Sequence, residues 1–107
     1  MNGTLGALAE PNRLRIVELL RSGPRTVNEI VERLDMPQPL VSKHLRVLRQ
    51  AGLVRARPQG QQRLYELQAA PFRELNSWVS TFQQLWEGRL DNLDRYLQQV
   101  KRKRGNK

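Results

Sequence analysis

The 107-residue sequence predicts a mainly α-helical protein of five helices with one small β-hairpin and a long C-terminal helix. Three observations predict it. Apolar residues recur at three- and four-residue spacing over most of the chain, the period falls to about two between Leu53 and Leu67, and helical spacing then runs unbroken from Pro71 to about Lys101. The length suits one domain, expected over residues 1–101 and followed at 102–107 by a basic, disordered tail.

Residues 4–9 can form a short first helix, and Pro11 suits the first position of a second, where its missing N–H costs nothing. Leu14, Ile16, Val17, Leu19 and Leu20 give that helix a wide apolar face, and Ser22-Gly23-Pro24 stops it near Arg21. Thr26-Val27-Asn28-Glu29 reads as a capping box at the start of a third helix of about nine residues. Its buried stripe is Val27, Ile30, Val31 and Leu34. Asp35-Met36-Pro37 interrupts it, and a fourth helix begins around Gln38, buries Val41, Leu45 and Leu48, and ends at Gly52. Two short strands, Leu53 to Arg57 and Arg63 to Leu67, flank a five-residue glycine-containing connection and predict the hairpin. In the last helix Phe72, Leu75, Val79, Phe82, Trp86, Leu90, Leu93, Leu97 and Val100 form one stripe.

The net charge of +9 favours polyanionic partners, and its distribution narrows the choice. Between Asp35 and Glu66 there is no acidic residue, yet Lys43, Arg46, Arg49, Arg55, Arg57 and Arg63 fall there; Lys101, Arg102, Lys103, Arg104 and Lys107 form a second group. Elsewhere acids slightly outnumber bases, so the excess is local. No apolar run approaches the roughly 20 residues that cross a bilayer, which argues against a membrane partner. There is no cysteine, which excludes disulfides and thiolate metal sites and fits a cytoplasmic location. No catalytic residues, metal or cofactor are expected: one histidine, no glycine-rich phosphate loop and no carboxylate pair in an apolar setting leave an enzyme little to work with.

Two short helices joined by a tight turn and followed by a basic hairpin make a winged helix-turn-helix pattern. With Val41, Leu45 and Leu48 turned inward, the other faces of the fourth helix hold Gln38, Pro39, Ser42, Lys43, Arg46 and Arg49. This polar and basic surface has no carboxylate to repel phosphate. The major groove of B-DNA, about 12 Å wide, admits a helix, and Arg, Lys and Gln are the side chains that read its guanine and adenine edges. Gln38, Ser42, Lys43 and Arg46 are expected in the groove. Arg57, Gln59, Gln61, Gln62 and Arg63 around Gly60 are expected to anchor the hairpin on phosphate or the minor groove. His44 lies at the margin of the buried stripe, where packing or a phosphate contact is favoured over base reading or a pH switch.

The stretch from Leu34 to Val54, with Ser42-Lys43-His44-Leu45 followed by Ala51-Gly52-Leu53-Val54, resembles the recognition segment of the ArsR family of bacterial winged-helix repressors. The entry segment from Leu8 to Leu20 resembles that family too, and the likeness runs over about residues 5–67. It implies a homodimer that binds a two-fold symmetric operator in double-stranded DNA and blocks transcription, often of its own gene. Many members release DNA on binding metal. In this chain Thr26, Val27 and Asn28 stand where metal-sensing members carry Cys-x-Cys, and the last helix lacks the histidines of the other metal site; Asp91 and Asp94 alone remain. A repressor that does not respond to metal is therefore expected, its effector unknown.

The last helix, roughly 45 Å long at 1.5 Å per residue, carries more large apolar side chains than the remaining helices can cover. Leu5, Leu8, Leu75, Trp78, Val79, Phe82, Leu85, Trp86, Leu90, Leu93 and Leu97 are therefore expected at a dimer interface. The alternatives are a pocket for an apolar effector along Trp78, Phe82 and Trp86, or a winged-helix module that binds another protein through this helix.

Overall fold

The computed structural model describes the backbone of residues 2–105 and the side chains of residues 3–102. Its elements run α1 (Asn2–Leu8), α2 (Pro11–Leu20), β1 (Arg25–Thr26), α3 (Val27–Leu34), α4 (Gln38–Gln50), β2 (Val54–Gln59), β3 (Gln62–Leu67) and α5 (Ala69–Gly105). The chain falls into two compact units, Met1–Leu75 and Asn76–Lys107.

In the first unit the helix boundaries follow local chemistry. Glu10 caps α2, its carboxylate accepting from the Arg13 N–H at 2.8 Å. The capping box of α3 is complete: Thr26 Oγ1 accepts from the Glu29 N–H at 3.2 Å, and Glu29 Oε1 accepts from the Thr26 N–H at 3.1 Å. The Thr26 N–H holds the Glu29 carboxyl below its ordinary pKa, reinforced by the Thr26 hydroxyl, which donates to Oε1 at 3.2 Å, and by Arg25. Asp35 ends α3 in the left-handed region at φ 52°, its N–H reaching back to the Val31 carbonyl. At the end of α4, Gly52 takes φ 77° and donates to the Arg49 carbonyl, while Leu53 donates to that of Leu48. This is a Schellman motif, closed by two buried leucines.

The core comprises Ala7 of α1, Ile16, Val17 and Leu20 of α2, Ile30 of α3, Val41, Leu45 and Leu48 of α4, and Leu53 and Val54 at the foot of the hairpin, with Met36 in the α3–α4 turn. Each buried Val, Leu or Ile contributes roughly 1.5–3 kcal/mol. The inward stripe of α4 is thereby pinned, and its opposite face is left to solvent.

Three features depart from expectation. First, the sheet has three strands in the order β1-β3-β2, because Arg25 and Thr26 pair with Tyr65 and Leu64. Second, the hairpin connection is Gly60-Gln61, two residues rather than five, with Pro58 and Gln59 in β2 facing Arg63 and Gln62. Gly60 at φ 61° supplies the positive dihedral that a two-residue hairpin turn needs, and β2 is an edge strand, where proline is tolerated. Third, α5 begins at Ala69, two residues before Pro71, and runs four residues past Lys101. Proline fits there because the first-turn N–H groups of a helix have no partner within it. Of the expected tail, Asn106 and Lys107 lie outside the described residues.

In the second unit, residues 76–102 are almost all exposed. Trp78 and Phe82 meet edge to face with ring centroids 4.8 Å apart, and the Arg89 guanidinium lies 5.8 Å from the centre of the Trp86 ring. Leu85, Trp86, Leu90, Leu93 and Leu97 each keep about half or more of their surface open.

Candidate nucleic-acid interface

The α3–turn–α4 segment sets the geometry. Asp35 in the left-handed conformation, buried Met36 and Pro37 at the N-cap of α4 turn the chain sharply between two helices that pack on each other. Arg15 donates to the Leu34 carbonyl at 2.9 Å, tying the end of α3 to α2. Pro39 stands in the first turn of α4, where it breaks no hydrogen bond.

Burial then sorts the faces of α4. Gln38, Pro39, Lys43, Arg46 and Arg49 are exposed and Ser42 is half-buried, whereas Val41, His44, Leu45 and Leu48 are buried. Lys43, Arg46 and Arg49 have no acidic partner within 4.0 Å among the described residues, so their charge is available to a ligand. At the hairpin Arg57, Gln59, Gln61, Gln62 and Arg63 are all exposed around the Gly60 turn.

The structure narrows one sequence expectation and changes another. His44 is only 5% exposed, and its Nε2 lies 3.7 Å from Glu10 Oε2, so it packs beneath the recognition helix and does not join the outer row. The hairpin is also less cationic than its sequence suggests. Glu66, just beyond the acid-free stretch, pairs across the strands with Arg55 at 2.6 Å and with Arg57 at 3.2 Å. The signal was available in the alternation of Arg55 and Arg57 on one strand and Glu66 on the next, but it depends on a register that the five-residue loop would have misplaced.

An apolar cleft of about 490 Å³ lies between α2 and the start of α5, lined by Leu8, Leu14, Val17, Leu67 and Phe72, with the Glu18–Arg21 ion pair among its lining residues. It includes none of Trp78, Phe82 and Trp86, along which an effector pocket was considered. No helix among the described residues is long and apolar enough to cross a membrane.

With this geometry in place, the comparisons with known proteins are specific. The profile of the bacterial regulatory protein arsR family matches residues 10–56, from the α2 cap through the first half of β2. The transcriptional repressor SdpR of Bacillus subtilis is 30% identical over 82 residues, covering 77% of this chain and 91% of SdpR. The chain belongs to the ArsR family. The HTH-type transcriptional repressor SmtB of Mycobacterium tuberculosis is 49% identical over 63 residues, 59% of this chain; the match spans only 47% of SmtB, about half its length. Among solved structures, the ArsR family transcriptional regulator RHA00566 superposes with a TM-score of 0.70 at 36% identity, over 80% of this chain and 94% of that one. ArsR proteins are transcriptional regulators and not enzymes, and the mainly helical winged fold seen here is theirs.

Proposed function

We propose that this chain is a sequence-specific, double-stranded-DNA-binding transcriptional repressor that acts as a homodimer on a pseudo-palindromic operator. The observation that carries the reading is the outer face of α4, where Lys43, Arg46 and Arg49 are exposed and, among the described residues, without an acidic partner, on a helix whose buried stripe turns that face outward. Gln38, Ser42, Lys43 and Arg46 read base edges in the major groove, and Arg57, Gln59, Gln61, Gln62 and Arg63 hold the hairpin against the backbone. SdpR and SmtB, named as repressors, support the direction of regulation.

The dimer is supported by the uncovered apolar residues of α5. Leu85, Trp86, Leu90, Leu93 and Leu97 in a row exceed the scattered apolar exposure of a monomer, and a second α5 offers a matching surface. Two recognition helices related by a two-fold axis then address half-sites about 34 Å apart. Control does not run through metal: Thr26, Val27 and Asn28 carry no thiolate, and the one imidazole is enclosed in the core of the first unit. The protein is expected in the cytoplasm, with its target genes.

Selection of duplexes from a random pool by the full chain tests the reading, followed by titration of the selected duplex at several salt concentrations. A preferred duplex, with log K falling steeply against log salt, is the expected result. Equal affinity for every sequence, or none, would favour a winged-helix module that binds another protein through α5.

A further inference from the structure

His44 is enclosed, yet neither of its ring nitrogens has a hydrogen-bond partner among the described residues. Enclosing polar ring atoms unpaired is unfavourable, and a leucine of similar size would fill the site without that cost. The nearest acid is the Glu10 carboxylate, 3.7 Å from Nε2. A charge-assisted N–H···O contact forms at about 2.7–3.2 Å, so the pair stands roughly 0.5–1 Å short of bonding.

Among the described residues one other donor reaches that carboxylate. Glu10 Oε2 accepts from the Arg13 backbone N–H, but a carboxylate has capacity for further donors. The Arg13 guanidinium, which could compete, is engaged with the carbonyls of Ala7 at 2.7 Å and Gly6 at 3.4 Å. Glu10 is fixed at the N-cap of α2, whereas His44 travels with α4 and sits between Lys43 and Leu45 in the sequence.

We propose that His44 is a positioning residue for operator binding: the Nε2–H tautomer donates to Glu10 when α4 seats in the groove, fixing the recognition helix against the cap of α2. This rests on the DNA-binding function proposed above. The hydrogen bond belongs to the bound arrangement, so its free energy appears in operator affinity and not in the stability of the free protein.

His44 is the only histidine, so its imidazole can be followed without ambiguity by nitrogen-15 correlation spectra of the full chain as the selected duplex is added. Signals of the Nε2–H tautomer, with that proton shifted downfield on binding, are expected. His44→Leu is expected to weaken operator binding about tenfold without lowering the melting temperature. His44→Gln, whose amide nitrogen occupies nearly the place of Nε2, should return to within about threefold of wild type. Glu10→Ser keeps an N-cap acceptor but removes the carboxylate, and should weaken binding as His44→Leu does, with the double variant no worse than either.

Imidazole signals indifferent to the operator, or His44→Leu binding as wild type does, would overturn the inference while leaving the DNA-binding function intact. Losses that simply add in the double variant would overturn it too. A wild-type chain with no preferred duplex would bring down both.

Discussion

Glu66 restrains the hairpin's charge, and replacing it with glutamine should strengthen DNA binding. In the free protein its Oε1 holds Arg55 Nε at 2.6 Å and Arg57 Nε at 3.2 Å, so one carboxylate offsets two guanidinium groups at the base of the wing. Both arginines are more than half exposed, and an exposed ion pair contributes only about 0–1 kcal/mol, so Glu66→Gln should shift the unfolding midpoint little. Its effect on binding is larger. Each phosphate newly neutralised adds about 0.9 to the slope of log K against log salt, which at 0.15 M corresponds to about fivefold in affinity. One freed arginine therefore predicts about fivefold tighter binding and two about 25-fold, equally for specific and random duplexes, since phosphate contacts carry no sequence information. Fluorescence anisotropy of labelled duplexes between about 0.05 and 0.2 M salt reads both quantities. Unchanged slope and affinity would mean that Arg55 and Arg57 do not approach DNA, and the wing would have to be removed from the interface.

Arg46→Ala, at an exposed and unpaired position, should leave stability within about 0.5 kcal/mol of wild type and cost roughly 1–3 kcal/mol of operator affinity with relaxed base preference. Equal weakening on every duplex would make Arg46 a phosphate contact instead. Phe82→Glu or Leu93→Glu should give monomers with weakened operator binding in sedimentation; a wild-type chain already monomeric at micromolar concentration, at 12.5 kDa, would end the dimer proposal. Ile30→Ala, at a fully enclosed core position, should cost about 2–5 kcal/mol in urea unfolding. Glu29 has a folded pKa below its ordinary 4.5, so its contribution is present above about that pH and fades as pH falls through the lower folded value. Glu29→Gln should flatten the acid limb of stability below about that pH, and unfolding curves of the two proteins keeping the same pH dependence would contradict the assignment.

Much of the fold was legible because it is written locally. The Thr26–Glu29 capping box, the glycine that ends α4 and the spacing of Val41, Leu45 and Leu48 each act within a few residues, and each appears in the structure where the sequence put it. So does the outer row from Gln38 to Arg49, since fixing the buried face of a helix fixes the opposite one. What escaped is non-local. A two-residue strand at Arg25-Thr26 carries no period of its own and exists only because β3 comes to lie beside it. Pro58 reads as a loop residue until its strand is known to be an edge. The approach of Glu10 to His44 depends on how α2 lies against α4, and the capture of Arg57 by Glu66 depends on hairpin register.

The placement of Pro58 has one more effect. A narrow ribbon with its flank open to solvent invites a neighbouring molecule to zip on through its main chain. The pyrrolidine ring offers no donor at that point. Neighbouring molecules could then gather side by side without knitting into fibres.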